Sequence, residues 1–234
     1  MVFCAEKKTL SEKDLEKEYG RTWVWTALDV NTRLIVCSLV GDRTIDNCRK
    51  FINDLSSRVV NKPLFVTDEL PHYENAIFEA YHTLETFDCV EKYGCSKKTI
   101  KKIDEEIDYA VVHKTREKGT IKKVETRIVF GNEKRIKERL SKSSSKKINT
   151  SYVERSNGTL RLNDAHLQRK TYKFCKEKPY FKAKLSIVIL FYNFIKPHIT
   201  LSKNYNKKLI TPAIAAKIVN EVWTTKFAFE RPSL

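Results

Sequence analysis

The chain has 234 residues and carries 45 Lys+Arg against 29 Asp+Glu, a formal net charge of +16. Hydrophobic residues make up 41% of it and Gly and Pro number six each, which gives material for a packed core and excludes wholesale disorder, collagen-like repeats and linker-type sequence. The longest apolar run, Leu185 to Ile195, includes Ser186 and Asn193, reads as a buried helix, and falls short of the roughly 20 residues of a membrane helix, so no membrane partner is expected.

From Gly20, Trp23, Trp25 and Ala27 alternate with Val24, Thr26 and Leu28, and Asn31-Thr32 then signals a turn before Leu34 to Val40, predicting an antiparallel hairpin. Thr44 caps a predicted helix whose apolar residues, Ile45, Cys48, Phe51, Ile52, Leu55 and Val59, recur at three and four until Pro63. Leu64 to Val66 predicts a strand buried on both faces, ending at Thr67-Asp68, with a helix from about Tyr73 to Tyr81 after it. Tyr109 to Val112 and Val124 to Phe130 predict two more strands, with Gly131-Asn132 as the following turn. Between Lys97 and Lys147 stand 17 Lys+Arg and 8 Asp+Glu, ending in SKSSSKK from Ser141 to Lys147, expected to be a mobile basic loop. Ser151 begins a helix that carries Glu154, and a long helix covers about Phe181 to Ile195 before Pro197. No internal repeat is present, and this order of elements predicts one mixed α/β domain with a three-layer core.

A leader of basic then apolar residues is not seen at the start, so a cytoplasmic location is expected. The cysteines at 4, 37, 48, 89, 95 and 175 form no C-x-x-C pair, so they read as free buried thiols and no zinc is expected. The charge surplus makes nucleic acid the first candidate partner. Asp68 lies where α/β folds place catalytic groups, at the C-terminal end of a strand; the competing reading is a cap for the next helix. Ser151-x-x-Glu154 is a capping-box pattern, or Glu154 is itself a functional carboxylate. At helical offsets of three, four and seven, Asn157, Gly158 and Arg161 share its face with an amide, a bare backbone and a guanidinium. A mid-helix Gly marks close approach by another body, and this face suits a phosphate backbone. Arg169, Lys170, Lys173, Lys176 and Lys178 extend the positive surface. Trp23, Trp25, Trp223 and the aromatics from Phe191 to Phe194 read as core, and His72 and His198 lack a metal-ligand partner at useful spacing.

The segments SYVERSNGTLRLNDAHLQRKTYKFCKE (Ser151 to Glu177), YNFIKPHITL (Tyr192 to Leu201), TPAIAA (Thr211 to Ala216) and Val222-Trp223 resemble the end of a transposase of the IS-one family of insertion sequences. Upstream, WVWTALDVNTRLIV (Trp23 to Val36), Gly41-Asp42-Arg43-Thr44 and VTDELPHYENAI (Val66 to Ile77) are similar to the same family in the same order. The resemblance implies a ribonuclease-H-like mixed sheet flanked by helices, with a basic insertion and a helical C-terminal part. It also implies an Asp-Asp-Glu triad holding Mg²⁺ or Mn²⁺, with Asp68 as second carboxylate and Glu154 as third, both as metal ligands. Hard divalent cations require oxygen ligands and activate the two oxygens of an in-line phosphoryl transfer. Arg161, seven after the Glu, then holds a DNA phosphate or terminal base, with Arg155, Asn157, Arg169, Lys170 and Lys173 on the same DNA.

The segment Met1 to Lys8 resembles the tail of the family's first strand, so the Asp-Glu-x-Trp motif with the first carboxylate, and the zinc-binding and helix-turn-helix region, are expected to be missing. Asp29 matches the family's second-strand Asp and is the candidate substitute, and Glu69 replaces the Gly that commonly follows the second Asp. The expected organisation is 1–20 as remnant strand and linker, 21–223 as catalytic domain and 224–234 as a tail. Two functions follow: DNA transposition by metal-dependent strand cleavage and transfer, with transposon ends and target DNA as partners, or a catalytically incomplete remnant that only binds DNA. A homo-oligomeric state stays open, and a nuclease acting on RNA–DNA hybrids is a third, weaker reading.

Overall fold

The computed structural model describes residues 22–88, 97–118, 120–168, 172–173, 175–204 and 208–230. The chain is α/β and divides into two compact units, Met1–Arg43 with Ser151–Leu234, and Thr44–Thr150.

In the first unit β1 (Trp23–Leu28) pairs antiparallel with β2 (Ile35–Gly41). Val24 and Ile35 of this hairpin meet Leu160 of α4 (Ser151–Asn163), Leu167 of a short 3-10 turn (Ala165–Leu167), and Phe181 and Leu185 of α5 (Lys178–Leu190). The helix then widens into a π turn, Phe191–Ile195, closed by the Lys196 N–H bonding to the Phe191 carbonyl. Widening the turn lets two consecutive residues, Tyr192 and Asn193, face inward together. The Asn193 side chain accepts from the Ile35 N–H at 3.1 Å and donates to the Ile35 carbonyl at 3.0 Å, extending the ladder of β2 with an amide. Three short helices follow: α6 (Ile199–Asn204), α7 (Pro212–Ala215) and α8 (Thr225–Glu230). The residues expected as a tail from 224 therefore include a helix, and its Phe227 meets the Trp223 ring edge-on at 5.3 Å. The run 178–204 is long enough to cross a membrane, and its most apolar 18-residue window has mean hydropathy 1.3. Five lysines (178, 182, 184, 196 and 203) and the break at Pro197 make it no clear span.

The second unit opens with α1 (Ile45–Arg58), where Thr44 accepts from the Asn47 N–H and Cys48, Phe51, Ile52 and Leu55 are buried, as the periodicity predicts. Next come β3 (Leu64–Asp68), α2 (His72–Ala80), β4 (His82–Asp88), β5 (Lys97–Ile103), β6 (Asp108–Glu117), β7 (Thr120–Phe130) and α3 (Glu133–Lys142). The main sheet has the order β3-β6-β7, with β3 parallel to β6 and β7 antiparallel to it. Being an edge strand, β3 buries Phe65 but leaves Leu64 and Val66 half-buried, which corrects the expectation of burial on both faces. The strand buried on both faces is the central one, β6, from Asp108 to Val112. The ribbon β4–β5 and helix α3 escape the sequence reading because their residues are largely polar or charged and their apolar ones are often exposed, Leu84 at 63% and Ile100 at 46%. Of Ser141–Lys147, read as a basic loop, the first two residues end α3, and in the rest Ser145 donates to the Lys147 carbonyl at 2.7 Å while accepting from Asn149 Nδ2 at 2.8 Å.

One buried charge anchors this unit. Asp108, with no exposed side-chain surface, takes a fork from Arg135 (Nε to Oδ2 2.9 Å, Nη2 to Oδ1 2.7 Å) and a third contact from Arg139 Nε at 3.1 Å. Arg135 and Arg139 stand one turn apart on α3, so a single carboxylate fastens the helix to the start of β6. Gly131 passes beside it at φ +99°, where an added Cβ would lie 2.0 Å from Asp108 Oδ1, so both conformation and space require glycine.

Candidate functional site

Asp68 ends β3, opposite Val112 of β6. The helix after it, α2, has Pro71 at its N-cap and no side-chain cap, so Asp68 is not that helix's cap. Its carboxylate makes no hydrogen bond or ion pair among the described residues and is partly exposed, and its charge acts on the buried Cys48 thiol and the Tyr109 phenol. Burial first, then the Asp68 charge, pushes the Cys48 thiol up to about 12. Burial likewise pushes the Tyr109 phenol up to about 12, and Thr67 opposes it through a 2.8 Å hydrogen bond. Thr67 in turn donates to the Asp68 carbonyl at 2.8 Å, fixing the backbone under the carboxylate. Glu69 is exposed and accepts from His113 of β6.

Asp29 is placed differently. Its carboxylate accepts from the Asn31 N–H and the Thr32 N–H, each at 3.1 Å, and from the Thr32 hydroxyl. The carboxylate is thus the scaffold of the hairpin turn, and a cation there must displace three donors. The same turn presents Arg33, at φ +64°, whose guanidinium lies 4.0 Å over the Tyr152 ring in the first turn of α4. This stack brings the turn holding Asp29 against the helix start holding Glu154.

Glu154 is exposed in that first helical turn, where the helix dipole favours an anion, and Arg155 beside it is exposed too. Asn157 corrects the expected common face: it is 2% exposed and its Oδ1 accepts from the Thr26 hydroxyl of β1 at 3.1 Å. Residues three apart on a helix are displaced by about 60° around the axis, and the edge between wet and dry faces runs between Glu154 and Asn157. It is an interior clasp and does not reach a DNA backbone. Gly158 has open space around it, with nothing within 4 Å of an added Cβ, so no packing within the chain demands a glycine there. Arg161 is half-buried in the last turn of α4, and Lys173 is exposed. Arg169, Lys170, Cys4, Cys89, Cys95 and Met1 to Lys8 lie outside the described residues.

His198 joins this cationic region. Its Nδ1 is buried without a hydrogen-bond partner among the described residues. Burial, then the Arg33 and Arg155 charges, hold the imidazole below the ordinary histidine range. The sequence reading missed Arg33; its one local signal was a basic residue closing an Asn-Thr turn. Within each unit, among the described residues, no three His, Cys, Asp or Glu side chains gather into a metal-holding group.

Comparison of the chain with protein-family models, with curated proteins and with solved structures finds no match.

Proposed function

We propose that the chain binds DNA and is a transposase-type catalytic domain carrying out metal-dependent strand cleavage and transfer, on a ribonuclease-H-like version of its α/β fold. The observation that carries this is Asp68, a carboxylate at the C-terminal end of a strand that neither caps a helix nor pairs with a cation among the described residues. A carboxylate left in that condition at a sheet edge fits a hard divalent cation, Mg²⁺ or Mn²⁺, whose ligands are oxygens. Asp68, in the second unit, and Glu154, in the first, are each proposed as a ligand of such a cation, which would stabilise the charge of phosphoryl transfer. The net charge of +16 supplies the attraction for the polyanion. Arg33, Arg155 and Arg161 are the proposed phosphate-facing cations; Asn157 is not among them.

A second reading is favoured by Asp29. Because that carboxylate is held by its own turn, it does not offer a third ligand, and Asp68 and Glu154 acting without a third carboxylate would hold DNA without cutting it.

The test is Mn²⁺-dependent nicking of supercoiled DNA by the wild-type chain beside Asp68→Ala and Glu154→Ala, with DNA affinity measured in parallel. Nicking lost in both variants at unchanged affinity is the expected result. Nicking that survives Asp68→Ala overturns the metal-ligand role. Salt-dependent binding with no nicking, and no Mn²⁺ stabilisation in thermal unfolding, establishes the second reading.

A further inference from the structure

The β6–β7 pair runs past the sheet that anchors it. Strand β3 pairs with β6 only from Asp108 to Val112. Beyond that, His113↔Glu125, Lys114↔Val124, Thr115↔Lys123, Arg116↔Ile121 and Glu117↔Thr120 pair with each other alone. Five residue steps make a two-stranded arm of about 17 Å. Such a ribbon has little reason to persist for its own packing, because a lone hairpin is marginal in water. Nor does it bury an apolar face, since Ile121 is 44% and Val124 52% exposed.

Its composition points to a partner. Five cations, Lys114, Arg116, Lys118, Lys122 and Lys123, stand against Glu117 and Glu125. Both acids are taken, by Lys122 at 3.5 Å and Lys123 at 2.7 Å, and Lys114 donates to the Thr150 hydroxyl at 2.8 Å. Arg116 and Lys118 have no ion pair among the described residues and are exposed. Residues opposite each other in an antiparallel pair share a face. One face therefore carries Lys114 beside Val124 and Arg116 beside Ile121, alternating cation and aliphatic.

We propose that this arm inserts into the major groove of duplex DNA, Arg116 and Lys118 on phosphates and Ile121 and Val124 against base edges. Two strands about 4.8 Å apart with their side chains match a groove about 12 Å wide and not a minor groove of about 6 Å. Aliphatic side chains meet thymine methyls there, which neither a membrane headgroup layer nor an acidic protein face supplies in register with phosphates. The inference rests on the DNA-binding reading above and adds the element and the groove.

The experiment uses the full chain and a mixed-sequence duplex of about 30 base pairs, followed by fluorescence anisotropy over a salt series from about 50 to 300 mM. Arg116→Gln/Lys118→Gln should lower affinity at least about tenfold and reduce the slope of log K against log salt by about two, at roughly 0.9 per lost phosphate contact. Arg116→Lys/Lys118→Arg should restore both. Lys134→Gln/Lys137→Gln on α3 should change neither, and an unaltered far-ultraviolet spectrum confirms folding of each variant. Methyl green, in the major groove, should compete, and netropsin, in the minor groove, should not. Unchanged affinity and slope in the Gln variant while wild type binds, or displacement by netropsin alone, overturns the groove assignment and leaves DNA binding standing. A wild type that does not bind duplex overturns both.

Discussion

Asp108→Ala is expected to be the most damaging single substitution in the second unit. It removes a carboxylate with no exposed surface and leaves Arg135 and Arg139 facing each other one turn apart, their side chains 32% and 31% exposed. Breaking a buried pair by removing one partner costs roughly 3–5 kcal/mol, because the remaining charge stays desolvated. Here the guanidiniums reach water along one side and each keeps a backbone carbonyl, Glu105 at 2.7 Å for Arg135 and Lys62 at 2.7 Å for Arg139, so the low end, about 3 kcal/mol, applies. Urea unfolding followed by far-ultraviolet circular dichroism is the assay, with a midpoint about 1–3 M lower and an unchanged m-value. Asp108→Asn keeps the shape beside Gly131 and one acceptor, so it should lose roughly half as much. In the double variant Asp108→Ala/Arg135→Met the losses should fall short of additive by about 1 kcal/mol or more. A midpoint for Asp108→Ala within about 0.3 M of wild type, or strict additivity with Arg135→Met, refutes the view that this carboxylate fastens α3 to β6.

Gly131→Ala combines an unfavourable φ of +99° with a Cβ 2.0 Å from Asp108 Oδ1, and should lower the melting temperature by at least about 5 °C; a shift within about 1 °C refutes the clash. His198 is held below the ordinary histidine range, so as pH falls from about 7 to 5 the unfolded chain takes up its proton first and stability drops. His198→Gln should flatten that decline, and an unaltered pH profile refutes the link. Cys48, fully buried and with its thiol pushed up to about 12, should resist an aqueous thiol reagent at neutral pH while Cys175, half-buried, reacts, as peptide mapping after labelling will show.

Much of the secondary structure is legible locally. The hairpin shows in the alternation from Trp23 to Leu28 and the Asn31-Thr32 turn, and α1 in its Thr44 cap and three-and-four periodicity. Helix α4 starts at Ser151 as read. The strands β4 and β5 and the outer halves of β6 and β7 are not legible in this way, because a ribbon without a core face displays charge where a strand signal needs apolar residues.

The candidate site divides along the same line. Sequence alone set the charge surplus and put Asp68 at the end of a strand, since both are properties of composition and of a short apolar run. It did not determine which polar groups point inward. Asn157 belongs to Thr26, 131 positions away, and Asn193 to Ile35, 158 positions away. Asp108 follows Asp104, Glu105 and Glu106 with nothing local to mark it, yet it is the one enclosed by Arg135 and Arg139. Burying a polar group is tolerated only where a partner from elsewhere in the chain is waiting, so the choice among neighbouring amides and carboxylates was made by the tertiary fold.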